Sequence, residues 1–128
     1  LVQKLNEDGK AVAVHARISC PPIFNPCFYG IDMTTFNELI AARNGPQTAI
    51  RDNIPWSPEI EQKIMNEIGA DSLQYQTIEG LIRALRLPSE QLCLACLNGK
   101  YPTPHGQTLV HAAWERYQQK TSGRIYDR

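Results

Sequence analysis

The side chains with the most chemistry in this sequence are four cysteines: Cys20, Cys27, Cys93 and Cys96. Cys93-Leu94-Ala95-Cys96 is a C-x-x-C, a spacing that brings two thiolates close enough to share one metal centre. Cys20 and Cys27 flank a loop that contains Pro21 and Pro22. An even cysteine count would permit two disulfides. The polar, charged run from Leu1 to Lys10 shows no secretory leader, so an oxidising compartment is not supported and a cytoplasmic location is expected. Spacing alone leaves three readings open: a metal or cluster site, a dithiol redox motif, and four unlinked structural thiols. Zinc held by all four thiols is the version that this chain completes by itself.

Other reactive side chains are more scattered. Tyr29 and Asp32 lie in the same loop as Cys27. Tyr29 is expected to pack beneath that loop, and Asp32 to end it by bonding backbone amides. His15, His105 and His111 have no metal-ligand spacing among themselves, and His15 reads as a satisfied core histidine on a buried strand. Arg83 and Arg86 read as a solvated helix face, and Trp56 as a local packing residue.

The elements that must position these groups fit one domain. With 128 residues the chain is long enough to bury a core without metal or disulfides. Thirteen basic and thirteen acidic side chains leave no net charge, which argues against a nucleic-acid binder held by bulk electrostatics. No apolar run approaches the roughly 20 residues of a membrane helix.

Helical spacing of Leu1, Val2 and Leu5 predicts a first helix ending at Asp8-Gly9. Residues 11–18 read as a strand apolar on both faces, as in a parallel sheet covered by helices. Pro21-Pro22 ends it, and residues 20–31 form an irregular loop beyond the strand's carboxyl end, where open parallel sheets gather ligands. Thr35 and Glu38 have capping-box spacing and open a helix to about Arg43. Residues 45–57 read as a surface insertion. Ser57-Pro58 starts a helix with Ile60, Ile64 and Ile68 on one face, closed by Gly69. Residues 72–76 form a short strand, and Thr77 to Pro88 bracket a helix with the stripe Ile78, Leu81, Ile82 and Leu85. After the C-x-x-C, Asn98 to Pro102 is a turn, and a last helix runs from about Gln107 to Lys120 with a frayed tail. Two strands do not make a covered sheet, and the chain opens inside a helix, so it reads as a piece of a larger α/β domain.

Four blocks then carry a resemblance, in order along residues 1–102. They are Arg17 to Ile23 (R-I-S-C-P-P-I) with Asn25 to Asp32 (N-P-C-F-Y-G-I-D), Ile68 to Leu73 (I-G-A-D-S-L), Glu79-Gly80-Leu81, and Cys93 to Pro102 (C-L-A-C-L-N-G-K-Y-P). Together they resemble the C-terminal part of the amidophosphoribosyltransferase family. The resemblance implies an α/β fold: residues 1–88 as the C-terminal part of a type I phosphoribosyltransferase-like domain, a parallel sheet with flanking helices, and residues 89–128 as a cysteine-pair segment with a helical C-terminal extension. It implies formation of 5-phosphoribosylamine from phosphoribosyl pyrophosphate and glutamine, the committed step of purine synthesis. It also implies a [4Fe-4S] cluster with three ligands here, Cys27, Cys93 and Cys96, and a fourth upstream. Cys20 takes a place usually held by a small residue and receives no ligand role. The glutaminase nucleophile and the phosphoribosyl pyrophosphate loop that binds with Mg2+ have no counterpart in these residues, so no catalytic residue is assigned and the segment alone is expected to be inactive. The expected partners are the remainder of the same enzyme and further copies of it, a tetramer in the family, with neither nucleic acid nor membrane.

Overall fold

Two strands, β1 (His15–Ile18) and β2 (Ser72–Tyr75), lie side by side in parallel. His15 stands opposite Ser72 and Ile18 opposite Tyr75. The computed structural model describes residues 1–46, 56–121 and 125. Parallel pairing needs a long crossover. Here it passes through the proline loop, a 3-10 turn (Phe36–Glu38), and helices α2 (Ile40–Asn44) and α3 (Pro58–Ile68). Helix α1 (Val2–Glu7) precedes β1. Helix α4 (Ile78–Leu85), a second 3-10 turn (Ser89–Gln91), α5 (Ala95–Asn98) and α6 (Pro104–Gln118) follow β2. Asp71 extends the pairing by one residue: its carboxylate accepts from the Val14 amide at 2.7 Å and its own amide donates to the Val14 carbonyl at 2.9 Å.

Local chemistry sets most helix ends. The Ser57 hydroxyl accepts from the Ile60 amide, Pro58 fills the first helical position, and Gly69 closes α3 at φ 70°. Thr103 and Pro104 repeat this start at α6, with Thr103 accepting from the Gly106 amide at 3.0 Å.

The core has two parts. Phe36, Leu39 and Ala42 pack with Ala95, Tyr101, Val110, Ala113 and Trp114, docking α6 on the first 3-10 turn. Phe24, Ala41, Ile60, Ile64 and Leu73 form the second, under α3 and β2. The first part draws side chains from both sides of residue 88.

Several elements differ from expectation. The first strand covers four residues rather than 11–18, because β2 offers only four partners. Its apolar residues are only partly buried: Ala16 packs half-buried against the second part of the core, Ile18 is 39% exposed, and Val12, before the strand, is fully exposed. Among the described residues nothing covers Val12. His15 is likewise exposed, with Nδ1 2.9 Å from the Ser72 hydroxyl, so it is not a core histidine. The capping box at Thr35 and Glu38 forms, but the helix breaks at Leu39, whose extended backbone places its side chain in the core. The stripe on α4 stays largely unburied, with Leu85 at 49% exposure. Arg83 and Arg86 are exposed as expected. Helix α6 begins at Pro104, not Gln107. Of the expected surface insertion, residues 47–55 lie outside the described residues, as do 122–124 and 126–128 of the tail.

Helices α2 and α3 are also joined by charge. Glu67 accepts from the Asn44 amide at 2.7 Å and pairs with the Arg43 guanidinium. The Asn44 hydrogen bond first, then Arg43, holds its carboxyl below the ordinary value of 4.5. The stability this adds is present above that value and lost as pH falls through the lowered pKa. The pair is exposed, so the contribution is about 0.5 kcal/mol. Urea midpoints measured from pH 7 to pH 3 should fall more steeply in the parent protein than in Glu67→Gln. Identical slopes would show that the pair contributes nothing.

Candidate functional site

The loop after β1 is fastened residue by residue to the segment that carries the cysteine pair. The Cys96 carbonyl accepts two amides, from Phe24 at 3.1 Å and Asn25 at 3.0 Å. The Tyr101 hydroxyl donates to the buried Pro26 carbonyl. Its ring lies 5.4 Å from that of Phe28. The Cys27 amide donates to the Met33 carbonyl at 2.8 Å, and the Tyr29 amide donates to the Cys27 sulfur at 3.4 Å. The Tyr29 and Thr103 hydroxyls are 2.8 Å apart. Cys27 is thereby joined to the Cys96–Thr103 stretch without help from any bound group.

All four cysteines are free thiols; Cys93 is exposed and the other three are half-buried. The Cys96 thiol is pushed up to about 11, first by burial and then by the charges of Cys27, Cys20 and Cys93. Tyr101 is raised by burial and next by Cys96 and Cys27. Burial also raises Cys20, and Cys20 in turn helps to raise Tyr75 after burial. Cys96 is therefore the thiol on which the other three act. Among the described residues, however, no three His, Cys, Asp or Glu side chains stand in an arrangement that would hold a metal ion. The donors fit an iron–sulfur or zinc centre in kind, as soft thiols from one loop and one C-x-x-C.

Two hollows flank the loop. Cys27, Phe28, Gly30, Ile31, Asp32 and Thr34 line one of about 260 Å³. The other, about 200 Å³, lies at the carboxyl ends of both strands, between Pro21, Pro22, Phe24 and Leu97 on one side and Trp56, Tyr75 and the first turn of α4 on the other. Trp56 packs edge-on to Tyr75 at 4.9 Å and donates to Glu61, the local role expected of it. Asn25 is fully buried, with no partner for either end of its amide.

Tyr29 does not pack beneath the loop as expected: it is 42% exposed, its ring 6.1 Å from that of Tyr101, and Asp32 is exposed too. His105 and His111 are exposed on α6, away from any cluster of potential ligands. Tyr101 and Thr103 escaped sequence reasoning as site residues. Thr103-Pro104 has the same helix-start signature as Ser57-Pro58, which would have located the start of α6. The role of Tyr101 depends on Pro26, 75 residues away, and has no local signal. Tyr101→Phe keeps the packing and strands a buried carbonyl. It should cost about 1–3 kcal/mol in urea unfolding. A loss below about 0.3 kcal/mol would mean that the Pro26 bond does not hold the loop.

The chain is similar to amidophosphoribosyltransferases. It is 42% identical to the Bacillus subtilis enzyme over 114 residues, which cover 86% of this chain and 21% of that one. It is 45% identical to the Methanocaldococcus jannaschii enzyme over 93 residues, 73% of this chain and 16% of the other. In structure it matches B. subtilis glutamine phosphoribosylpyrophosphate amidotransferase, solved with ADP and GMP. The TM-score is 0.59 at 42% identity, covering 80% of this chain and 20% of that one. No family model matches. The chain thus spans about a fifth of the length of these relatives. Its homologues are amidophosphoribosyltransferases, and its parallel strand pair with helices has the α/β fold of the matching part of the solved amidotransferase. Among the described residues no helix is long and apolar enough to cross a membrane.

Proposed function

We propose that this chain is the C-terminal segment of an amidophosphoribosyltransferase, an enzyme that forms 5-phosphoribosylamine from phosphoribosyl pyrophosphate and glutamine. The observation that carries the reading is the joint likeness in sequence and fold over four-fifths of the chain. Residues 1–88 serve as the end of the phosphoribosyltransferase-like domain and residues 89–128 as the cysteine-pair segment and its helix. Glutamine hydrolysis and phosphoribosyl binding with Mg2+ belong to the remainder of the polypeptide, which also covers the bare faces of β1 and α4. The whole assembles as a homo-oligomer, tetrameric as the resemblance implies.

Cys27, Cys93 and Cys96 hold a [4Fe-4S] cluster whose fourth ligand lies elsewhere in the polypeptide. The cluster supplies a covalent cross-link rather than electrons, because neither glutamine hydrolysis nor glycosyl transfer is a redox step. The protein's part is to bring Cys27 to the cysteine pair and to shield the Cys96 thiol from water. Glutamine-dependent phosphoribosylamine formation by the full polypeptide tests the function. A folded full-length protein with no such activity would overturn it.

A second reading is a non-catalytic metal-binding or interaction module, holding zinc on four thiols or an iron–sulfur centre. It is supported by the donor count, since four thiols within this chain complete a zinc site. Glutamine-dependent phosphoribosylamine formation separates the enzyme from the module, and zinc against iron content of anaerobically purified protein separates the two metal sites.

A further inference from the structure

We propose that Tyr29 is the positioning residue for Cys27, acting as a latch between the cysteine loop and the start of α6. The inference rests on the reading of Cys27 as a ligand, and its geometry stands without any bound group. The Tyr29 amide donates to the Cys27 sulfur at 3.4 Å, so the direction of that sulfur follows the Tyr29 backbone. The Tyr29 side chain crosses to α6, where its hydroxyl meets Thr103 at 2.8 Å, 74 residues along the chain. The same Thr103 hydroxyl caps α6 by accepting from the Gly106 amide.

The seat for the phenol is built by an absence. Gly106 is buried, and a Cβ at that position would stand 2.1 Å from the Tyr29 hydroxyl and 3.0 Å from its Cζ. Any larger residue at 106 therefore forces the Tyr29 hydroxyl to shift from this position. The φ of Gly106 is not in the left-handed region, so this glycine is required by the close approach of Tyr29, and of the Tyr101 Cβ at 3.1 Å, and not by backbone conformation. Immediately after Tyr29, Gly30 turns the chain at φ 108°, and the Cys27 amide closes the far side of the loop on the Met33 carbonyl at 2.8 Å. Helix α6 is anchored in the core by Val110, Ala113 and Trp114, which makes it a fixed post for the latch.

Site-resolved alkylation by N-ethylmaleimide, followed by mass spectrometry on full-length protein stripped of metal and kept reduced, reads the latch directly. Tyr29→Phe keeps the ring and removes the hydroxyl. It should raise the Cys27 alkylation rate about fivefold, the population change that one neutral hydrogen bond sustains. Cys20, in the same loop but before the latch, should not change. Gly106→Ala should raise the Cys27 rate at least as much, despite alanine's better helix propensity. Combined with Tyr29→Phe it should add little, since the two changes break one contact. Unchanged Cys27 rates, equal rises at Cys20 and Cys27, or fully additive effects would each overturn the latch. In iron-loaded protein the visible absorbance should bleach in air faster for Tyr29→Phe than for the parent. Protein that takes up no iron in any variant overturns the cluster reading instead, and the alkylation rates still decide the latch.

Discussion

Trp114→Ala should cost about 3–5 kcal/mol of stability, enough to consume much of the total for a domain of this size. Trp114 is 3% exposed on α6, and its ring meets Phe36 edge-on at 5.3 Å and Tyr117 at 5.2 Å. Truncation removes the largest side chain in the cluster that docks α6. Short neighbours, Ala42, Ala95 and Ala113, have little side chain with which to fill the hole. Trp56→Ala is the control. Trp56 is only half-buried, so its loss should be well under half as large. Thermal or urea unfolding of both variants gives the comparison. Equal losses, or a Trp114→Ala loss below about 1 kcal/mol, would mean that α6 is not docked through this residue.

The second large effect concerns the thiols. Cys96→Ala should lower metal affinity by more than about 100-fold, since even an outer-shell change at a metal site costs 10–100-fold. Cys96 is the site's centre in two senses. Its carbonyl ties down the Cys27 loop through Phe24 and Asn25, and its thiol feels the other three cysteines. Crowding by neighbouring thiolates and burial both favour its proton, and a soft cation reverses that preference by neutralising the group. Metal uptake should accordingly release protons and weaken as pH falls. Total iron and the visible absorbance of anaerobically reconstituted protein should vanish in Cys96→Ala, Cys93→Ser and Cys27→Ser, and persist in Cys20→Ser. Loss of bound metal in Cys20→Ser, with zinc rather than iron in the parent, would establish the four-thiol reading in place of the cluster. Parent-level iron in Cys96→Ala would remove Cys96 from the ligand set.

What could be read from the sequence was what is decided locally. Helix α3 announces both its ends, because Ser57, Pro58 and Gly69 act on the backbone beside them. Helix α6 carries the same start at Thr103-Pro104, obscured by Pro102 and the turn before it. Strand β1 is shorter than its apolar pattern suggests because its length is set by its partner, four residues of β2, and not by the apolar run 11–14. The exposure of Val12 and His15 was illegible for a related reason: burial depends on neighbours that these residues do not specify. At Leu39 a core contact overrides a sound capping signal. The C-x-x-C and Cys27 stood out as reactive types. Their relation to Tyr101, Tyr29 and Gly106 spans some 75 residues and exists only in the folded chain.

The clamps on the Cys27 loop also set a timetable. Pro26 waits for Tyr101 and Tyr29 waits for Thr103, so the loop leaves the ribosome long before anything can grip it. At typical elongation rates that interval is roughly 4–15 s. During it Cys27 stands on nascent polypeptide without the contacts that later hold its loop, and emergence of α6 ends its openness to oxidants. On the cluster reading proposed above, metal insertion waits until translation of this region is nearly complete.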